Sequence, residues 1–248
     1  MIDVAFTRAE VRPTAVAVVI DVLRASSSIV RALASGYERV LCADSIERAR
    51  GLRAPGRVLA GERDCVPPDG FDLGNSPGGF ERPLGEELIL ATTNGAPTLV
   101  AATGVAQRVL VGALLNLDAV TAALAGEEDV QLVCAGTNGR PALEDIYAAG
   151  RIATVLPGQR TDAALAAQCV AAGYPAPMDA LSDSEDARAL VAVGLEDDLR
   201  ACARESMIDA VPEAVAGEAG VALVTVDAHA QPYGKRTKSH LQPVSLEV

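Results

Sequence analysis

Several short apolar runs in this chain end directly in polar residues of a narrow kind. Val18-Val19-Ile20 runs into Asp21, with Arg24 and Ser26-Ser27-Ser28 just beyond. Val58-Leu59-Ala60-Gly61 runs into Glu62-Arg63, residues 88–91 into Thr92-Thr93-Asn94-Gly95, residues 109–115 into Asn116, and residues 130–135 into Gly136-Thr137-Asn138-Gly139. In open parallel sheets, ligands bind at the carboxyl ends of strands. Hydrophobic burial alone does not require such residues at five ends. Each end also has a local explanation, because Asp21, Ser26, Thr93 and Asn116 are residue types that cap the next helix. The two roles are compatible, since a capped helix N-terminus also presents N–H groups to an anion.

The segment Gly70–Pro77 (GFDLGNSP) lacks helix or strand periodicity. It reads either as a surface turn or as a site loop in which Asp72 binds a metal and Asn75-Ser76 a phosphate. Glu144-Asp145 likewise reads in two ways: as acids complementing the dipole of a first helical turn, or as metal ligands or water activators. Together these residue types suit phosphoryl transfer. Mg²⁺ takes hard carboxylate oxygens, usually one or two, and completes its shell with water and substrate phosphate. Asp21, Glu62, Asp72, Glu144 and Asp145 are the candidates. Arg24 and Arg63 can grip phosphate, sulfonate or carboxylate with paired hydrogen bonds. Catalysis of phosphoryl transfer is mainly positioning and charge neutralisation.

The elements that must hold these residues follow from the apolar pattern. Runs at residues 2–6, 15–20, 40–43, 58–60, 88–91, 109–111 and 130–134 are short and rich in Val, Ile and Leu, as strands buried on both faces are. Ala-rich helical segments at 26–34, 96–103 and 118–125 alternate with them. After Gly136 the texture becomes helical: residues 143–156 carry apolar positions at helical spacing, with Pro141 at the expected first turn. Further helical patterns cover 161–172, 183–193 and 195–207, a last strand is expected at 221–226, and residues 229–240 read as a polar, basic arm. The expected fold is α/β: a largely parallel or mixed sheet sandwiched by helices, with a strand-end active site and a helical C-terminal portion. No internal repeat or low-complexity linker is visible, so residues 1–248 read as one domain, with the change of texture near 136 as the best candidate for a subdomain border.

The 248 residues carry a formal net charge of −12. Such a surface repels nucleic acid and anionic lipid, so neither is expected as a partner. An anionic substrate would need local arginines or a bound cation. The five cysteines, without CxxC, argue against a disulfide framework or zinc site and suit buried thiols in a reducing cytosol. Cys134, at a strand end, reads as a structural thiol rather than a nucleophile. The start MIDVAFTRAE has no signal-peptide pattern, and no apolar run approaches ~20 residues, so a cytoplasmic location is expected. No GxGxxG follows an early strand, which disfavours a dinucleotide-binding dehydrogenase.

Over about residues 3–212 the chain resembles the 2-phosphosulfolactate phosphatase family. The stretches that carry the resemblance are Asp21-Val22-Leu23-Arg24-Ala25, Gly61-Glu62-Arg63, Gly70–Pro77, Thr92–Gly95, Asn116, Cys134-Ala135-Gly136 and Glu144-Asp145 followed by Ala149-Gly150. The resemblance implies a Mg²⁺-dependent enzyme hydrolysing 2-phosphosulfolactate to sulfolactate and phosphate, a step of coenzyme M biosynthesis where that pathway exists. Together with the residue reading it gives Asp21, Glu62, Asp72 and Glu144 as catalytic candidates and Asp21, Glu62, Asp72 and Asp145 as metal ligands. Arg24, Ser26, Arg63, Asn75, Ser76, Thr93, Asn94 and Asn116 are the substrate-binding candidates. Either Asp21 or a metal-bound water could be the nucleophile. Two departures stand out: Ser26-Ser27-Ser28 replaces a Thr-rich stretch, and residues 64–69 (DCVPPD) replace a glycine-rich, basic one with a stiffer acidic segment. Alternatives are a phosphatase for another small 2-phospho acid, such as 2-phosphoglycolate or 2-phospholactate, and a non-catalytic sensor of a phosphorylated metabolite. A homodimer is compatible with the sequence.

Overall fold

The structure, a computed structural model, describes residues 1–226; the basic arm and both histidines lie outside the described residues. The strands are β1 (Ile2–Ala5), β2 (Val16–Ile20), β3 (Arg39–Ala43), β4 (Arg57–Gly61), β5 (Glu87–Ala91), β6 (Arg108–Gly112), β7 (Val130–Cys134), β8 (Pro212–Ala216) and β9 (Val221–Val226). The helices are α1 (Ala25–Ser35), α2 (Ile46–Gly51), α3 (Gly95–Thr103), α4 (Leu117–Ala123), α5 (Leu143–Val155), α6 (Asp162–Ala172), α7 (Pro177–Ser182), α8 (Glu185–Ala192) and α9 (Glu196–Cys202). All seven predicted early strands are present, and every residue of β2, β5 and β7 is buried, as a sheet covered on both faces requires.

One mixed sheet runs in the order β1-β7-β2-β6-β8-β9-β3-β5-β4. The pairs within β1-β7-β2-β6 and within β3-β5-β4 are parallel. Between these blocks sits the β8–β9 hairpin, antiparallel to both neighbours and within itself. The two parallel blocks therefore run in opposite senses. One face of the sheet shares a core with α1 and α3, including Val19, Ile29, Val40, Leu90, Leu99 and Val111. The other face is covered in two parts: α4 to α7 over the first block and α2 over the second.

Several expectations are corrected here. The structure contains a repeat that the sequence does not display. Strands β2 to β4 with α1 and α2, and strands β5 to β7 with α3 and α4, follow the same β-α-β-α-β path. Each unit places its first strand in one block and its other two in the opposite block. Matching pairs keep matching register: Val16 lies opposite Arg108 as Glu87 lies opposite Arg39. Strand β8 and helices α2 and α7 were not expected, the last expected helix is shortened to α9, and Pro141 lies before the α5 cap rather than in its first turn.

Candidate active site

The carboxyl ends of β2, β4, β5 and β7 meet at a cleft of about 320 Å³, roofed by Ala189, Leu190 and Val193 at the end of α8. The two blocks run in opposite senses, yet these strand ends line one cleft. Close backbone approach makes room for it. Gly61, at φ 154°, lies where a Cβ would come within 2.1 Å of the Ala91 carbonyl oxygen. A Cβ on Gly95 would come within 2.5 Å of Asp21 Oδ2.

Asp21 is the first residue after β2. Its Oδ1 accepts a hydrogen bond from the Ala25 backbone N–H at 2.9 Å, which fixes the carboxylate against the start of α1. Its Oδ2 has no hydrogen-bond partner among the described residues. Burial pushes the Asp21 carboxyl up to about 7, and the negative charges of Asp186 and Glu62 push the same way, against the pull of the Ala25 N–H and Arg24. Beneath it, Asp145 joins two strand ends by accepting from Val22 N at 2.8 Å and Gly136 N at 3.1 Å. Burial first, and neighbouring acids second, hold Asp145 and Glu144 well above the usual carboxylate range.

Glu62 is held by both oxygens, accepting from Thr93 N at 2.7 Å and Cys65 N at 3.2 Å. Asn94 Oδ1 accepts from Asn138 N at 3.1 Å, tying the end of β5 to the loop after β7. Arg24 is buried and thoroughly engaged. It donates to Asp198 Oδ2 at 2.8 Å, to Ser76 Oγ at 3.2 Å and to the Cys65 carbonyl at 2.8 Å, and Ser76 Oγ also donates to Asp198. Asn75 lines the cleft, and its buried Oδ1 has no partner among the described residues. As an acceptor, this oxygen calls for a hydrogen-bond donor or a cation.

Not every predicted site residue reaches this cleft. Asp21, Arg24, Glu62, Asn75, Thr93 and Asn94 line it. Ser76 and Asp145 stand behind it through the bonds described above. Glu144 opens on a neighbouring cavity of about 300 Å³ that shares Thr137 and Asp186 with the cleft. Asp72 turns elsewhere: it accepts from Leu59 N at 2.8 Å, on the edge strand β4, and from Arg53 at 3.2 Å. Ser26 accepts from Asp21 N and donates to the Val19 carbonyl, so it shapes the β2–α1 turn. Asn116 is fully buried, bonded to Ala113, Val111 and Ala210 backbone groups. Arg63 lines a different cavity.

Two acids were missed by sequence reading. Asp186, in the first turn of α8, receives a hydrogen bond from Thr137 Oγ1 and adds a carboxylate to the cleft. Asp198, in the first turn of α9, is the partner of Arg24. Acids in first helical turns are common for dipole reasons, so neither stood out. The acidic segment after Glu62 forms a tight two-residue turn, with Asp64 at φ 52° and Cys65 at φ 69° between paired Arg63 and Val66.

The family model of 2-phosphosulpholactate phosphatase matches residues 5–217. The chain belongs to this family. A relative from Thermotoga petrophila is 37% identical over 223 residues, covering 88% of this chain and 96% of its own. Relatives from Thermus thermophilus and Deinococcus radiodurans are each 38% identical, over 218 and 215 residues, covering 84% and 82% of this chain and 91% and 89% of their own. All three bear the name probable 2-phosphosulfolactate phosphatase. As a member of the 2-phosphosulpholactate phosphatase family, the chain is a phosphoric monoester hydrolase. The GFDLGNSP stretch is divided by this structure: Asn75 lines the cleft and Ser76 stands behind it, whereas Asp72 braces β4. No described helix is long and apolar enough to cross a membrane.

Proposed function

We propose that this phosphatase hydrolyses 2-phosphosulfolactate to sulfolactate and phosphate, with Mg²⁺, in the cleft that Asp21, Glu62 and Asp186 line. The observation that carries this reading is that these three acids line one cleft together with Asn75 and the buried guanidinium of Arg24. Burial above all, with Asp186 and Glu62 adding to it, raises the Asp21 carboxyl to about 7, and a cation bound beside it would favour the ionised form. No group of three or more potential ligands converges into a metal cage among the described residues. Mg²⁺ needs no such cage, because one or two carboxylates with water and phosphate suffice. Asp21 through Oδ2, and Asp186, would hold it, with Glu62 and Asp145 fixing the loops around them. Bound there, Mg²⁺ supplies charge neutralisation for the phosphoryl oxygens.

The protein's own groups do the rest. Arg24, immobilised by Asp198 and Ser76, faces the phosphoryl group with a guanidinium that needs no reorganisation. Asn75 supplies a side-chain amide to the substrate. Asp21 has one oxygen fixed by the Ala25 N–H and the other unbonded, the arrangement required either to attack phosphorus or to take a proton from water. The P–O bond to the sulfolactate oxygen breaks, that oxygen takes up a proton, and water ultimately provides the fourth oxygen of phosphate. Leu190 and Val193 narrow the cleft and limit access of bulk water.

Phosphate release from 2-phosphosulfolactate, 2-phosphoglycolate and 2-phospholactate, with Mg²⁺ and with excess EDTA, tests the reading. The expected result is metal-dependent turnover that is fastest on the sulfonate. Equal rates on all three would reject the sulfonate substrate, and full activity in EDTA would reject the metal. Tight ligand binding without phosphate release would reject catalysis in favour of sensing.

A further inference from the structure

Asp21, Arg24 and Asn75 are 7%, 4% and 2% exposed. Entry of a hydrated metal and an anion to groups so covered calls for an element that gives way. Helix α8 lies over them: its Asp186, Ala189 and Leu190 line the cleft, with Val193 just beyond its last turn.

This helix is the most shallowly anchored part of the cleft. Of its eight residues only Ala187 and Leu190 are buried, and they join Leu199 in a small cluster apart from the two large cores. Its neighbours are rooted more deeply. Helix α5 buries eight of its thirteen residues, and α7 and α9 place Leu181 and Cys202 in a main core. An element with few buried apolar contacts opens locally at low cost. Both ends of α8 can absorb a rotation. Asp183 before it is exposed, and Gly194 after it sits at φ 78° with open space where a Cβ would be.

Two side-chain bonds tie α8 to the turn after β7. One joins Arg140 to Glu185, between largely exposed side chains, where an ion pair contributes little. The other runs from Thr137 Oγ1 to Asp186 Oδ2, half-buried and with a charged acceptor, which is the stronger kind. The turn that offers Thr137 is itself fixed. Thr137 and Arg140 exchange backbone bonds at 2.8 and 3.0 Å, and Asn138 N is held by Asn94.

We infer that α8 is a lid hinged at residues 183–184 and 194, that Thr137 is the latch holding it shut, and that closure delivers Asp186 to the metal. This rests on the proposed phosphatase function and adds an order of events to it. Metal and phosphate enter with α8 raised, and their contact with Asp186 favours the closed form, the form that supplies that carboxylate. Thr137 acts through Asp186 and is therefore a positioning residue.

Hydrogen exchange read by mass spectrometry on the full chain tests this, with Mg²⁺ and inorganic phosphate as probes. In the free chain the α8 amides should exchange about a hundredfold or more faster than those of α5, because they open locally. Mg²⁺ with phosphate should slow α8 about tenfold and leave α5 as it was. Thr137→Val should speed α8 about tenfold, the effect of losing one hydrogen bond to a charged group. It should also raise the half-saturating Mg²⁺ concentration for phosphate release by a similar factor, and Thr137→Ser, which keeps the hydroxyl, should restore both. A Thr137 that only stabilises the turn would lower the melting temperature and leave the Mg²⁺ dependence in place, which overturns the latch. Exchange of α8 in step with α5 in the free chain overturns the lid, as does binding of Mg²⁺ and phosphate that leaves α8 exchange unaltered. If calorimetry shows that the parent chain binds neither probe, the phosphatase reading fails separately. The free chain then decides the lid: α8 exchange that outpaces α5 and rises further in Thr137→Val supports it, and exchange indifferent to the variant overturns it.

Discussion

The two β-α-β-α-β units of this phosphatase make a natural comparison, because they share a backbone plan and differ in what they present. In the first, Asp21 follows β2 and its side chain caps α1 by accepting from the N–H four residues on, at 2.9 Å. In the second, Thr92 follows β5 and its hydroxyl accepts from the Ala96 N–H, again four residues on and again at 2.9 Å. Each unit's third strand leads into a tight turn with two positive φ angles: Asp64 and Cys65 in the first, Asn138 and Gly139 in the second. Arg24 of the first unit corresponds in position to Gly95 of the second. The scaffold thus builds the same cap twice. One copy carries a carboxylate and an arginine, and the other carries a hydroxyl and a gap into which the carboxylate fits. In the proposed function, chemistry at this cleft would come from that asymmetry of side chains, with the backbone nearly even-handed.

The sharpest way to break the comparison is Asp21→Thr, which copies the second unit's cap into the first. The Ala25 N–H keeps an acceptor, so the protein should fold, while kcat/KM for phosphate release falls about a thousandfold or more, as losses of a reacting group do. The mirror change, Thr92→Ala, removes only a cap and should cost about 1 kcal/mol in a urea melt. Next in size is Asp198→Ala. It leaves the Arg24 guanidinium buried without its carboxylate, which costs about 3–5 kcal/mol of stability. The second unit has no counterpart to that pair. Gly95→Ala fills the gap beside Asp21; overpacking there should cost about 1–3 kcal/mol and misplace the carboxylate, read as a fall in kcat with an intact fold.

The smallest effect is a pH slope. Asp21 is raised to about 7 in the folded state from an ordinary value of 3.8. Between those two values the unfolded chain has released this proton and the folded chain still holds it. Its contribution to stability therefore falls as pH rises from about 4 to about 7, by at most about 1.4 kcal/mol per pH unit. Urea midpoints measured across that range without metal should show the decline, and Asp21→Thr should flatten it. A slope unaltered in the variant would place the strain elsewhere.

Much of this scaffold was legible in the residues. Strands buried on both faces announce themselves as short runs of Val, Ile and Leu, and the Ala-rich helices between them keep their period. Strand β8 was hidden because Pro212 opens it and only five residues follow the pattern of a half-exposed hairpin. Helices α2 and α7, of six residues each, are too short to show a period. The repeat was invisible because the two units share hydrogen bonds and burial but not residue identities: Asp21 and Thr92 look unrelated until both are seen capping. The lining of the cleft was legible to a similar depth. Polar residues at strand ends marked Asp21, Glu62, Thr93 and Asn94, all of which line the cleft. A sequence does not distinguish a side chain that braces backbone from one that faces a cleft: Asp72, Ser26 and Asn116 are of the same residue types but bond backbone groups.

A crystal of the full chain soaked with Mg²⁺ and phosphate would examine the central claim most directly. The account predicts a cation bonded to Asp21 Oδ2 within the cleft, with phosphate between it and Arg24. A cation bound at Asp72 on the β4 edge, or a cleft that stays without metal at saturating Mg²⁺, would contradict it.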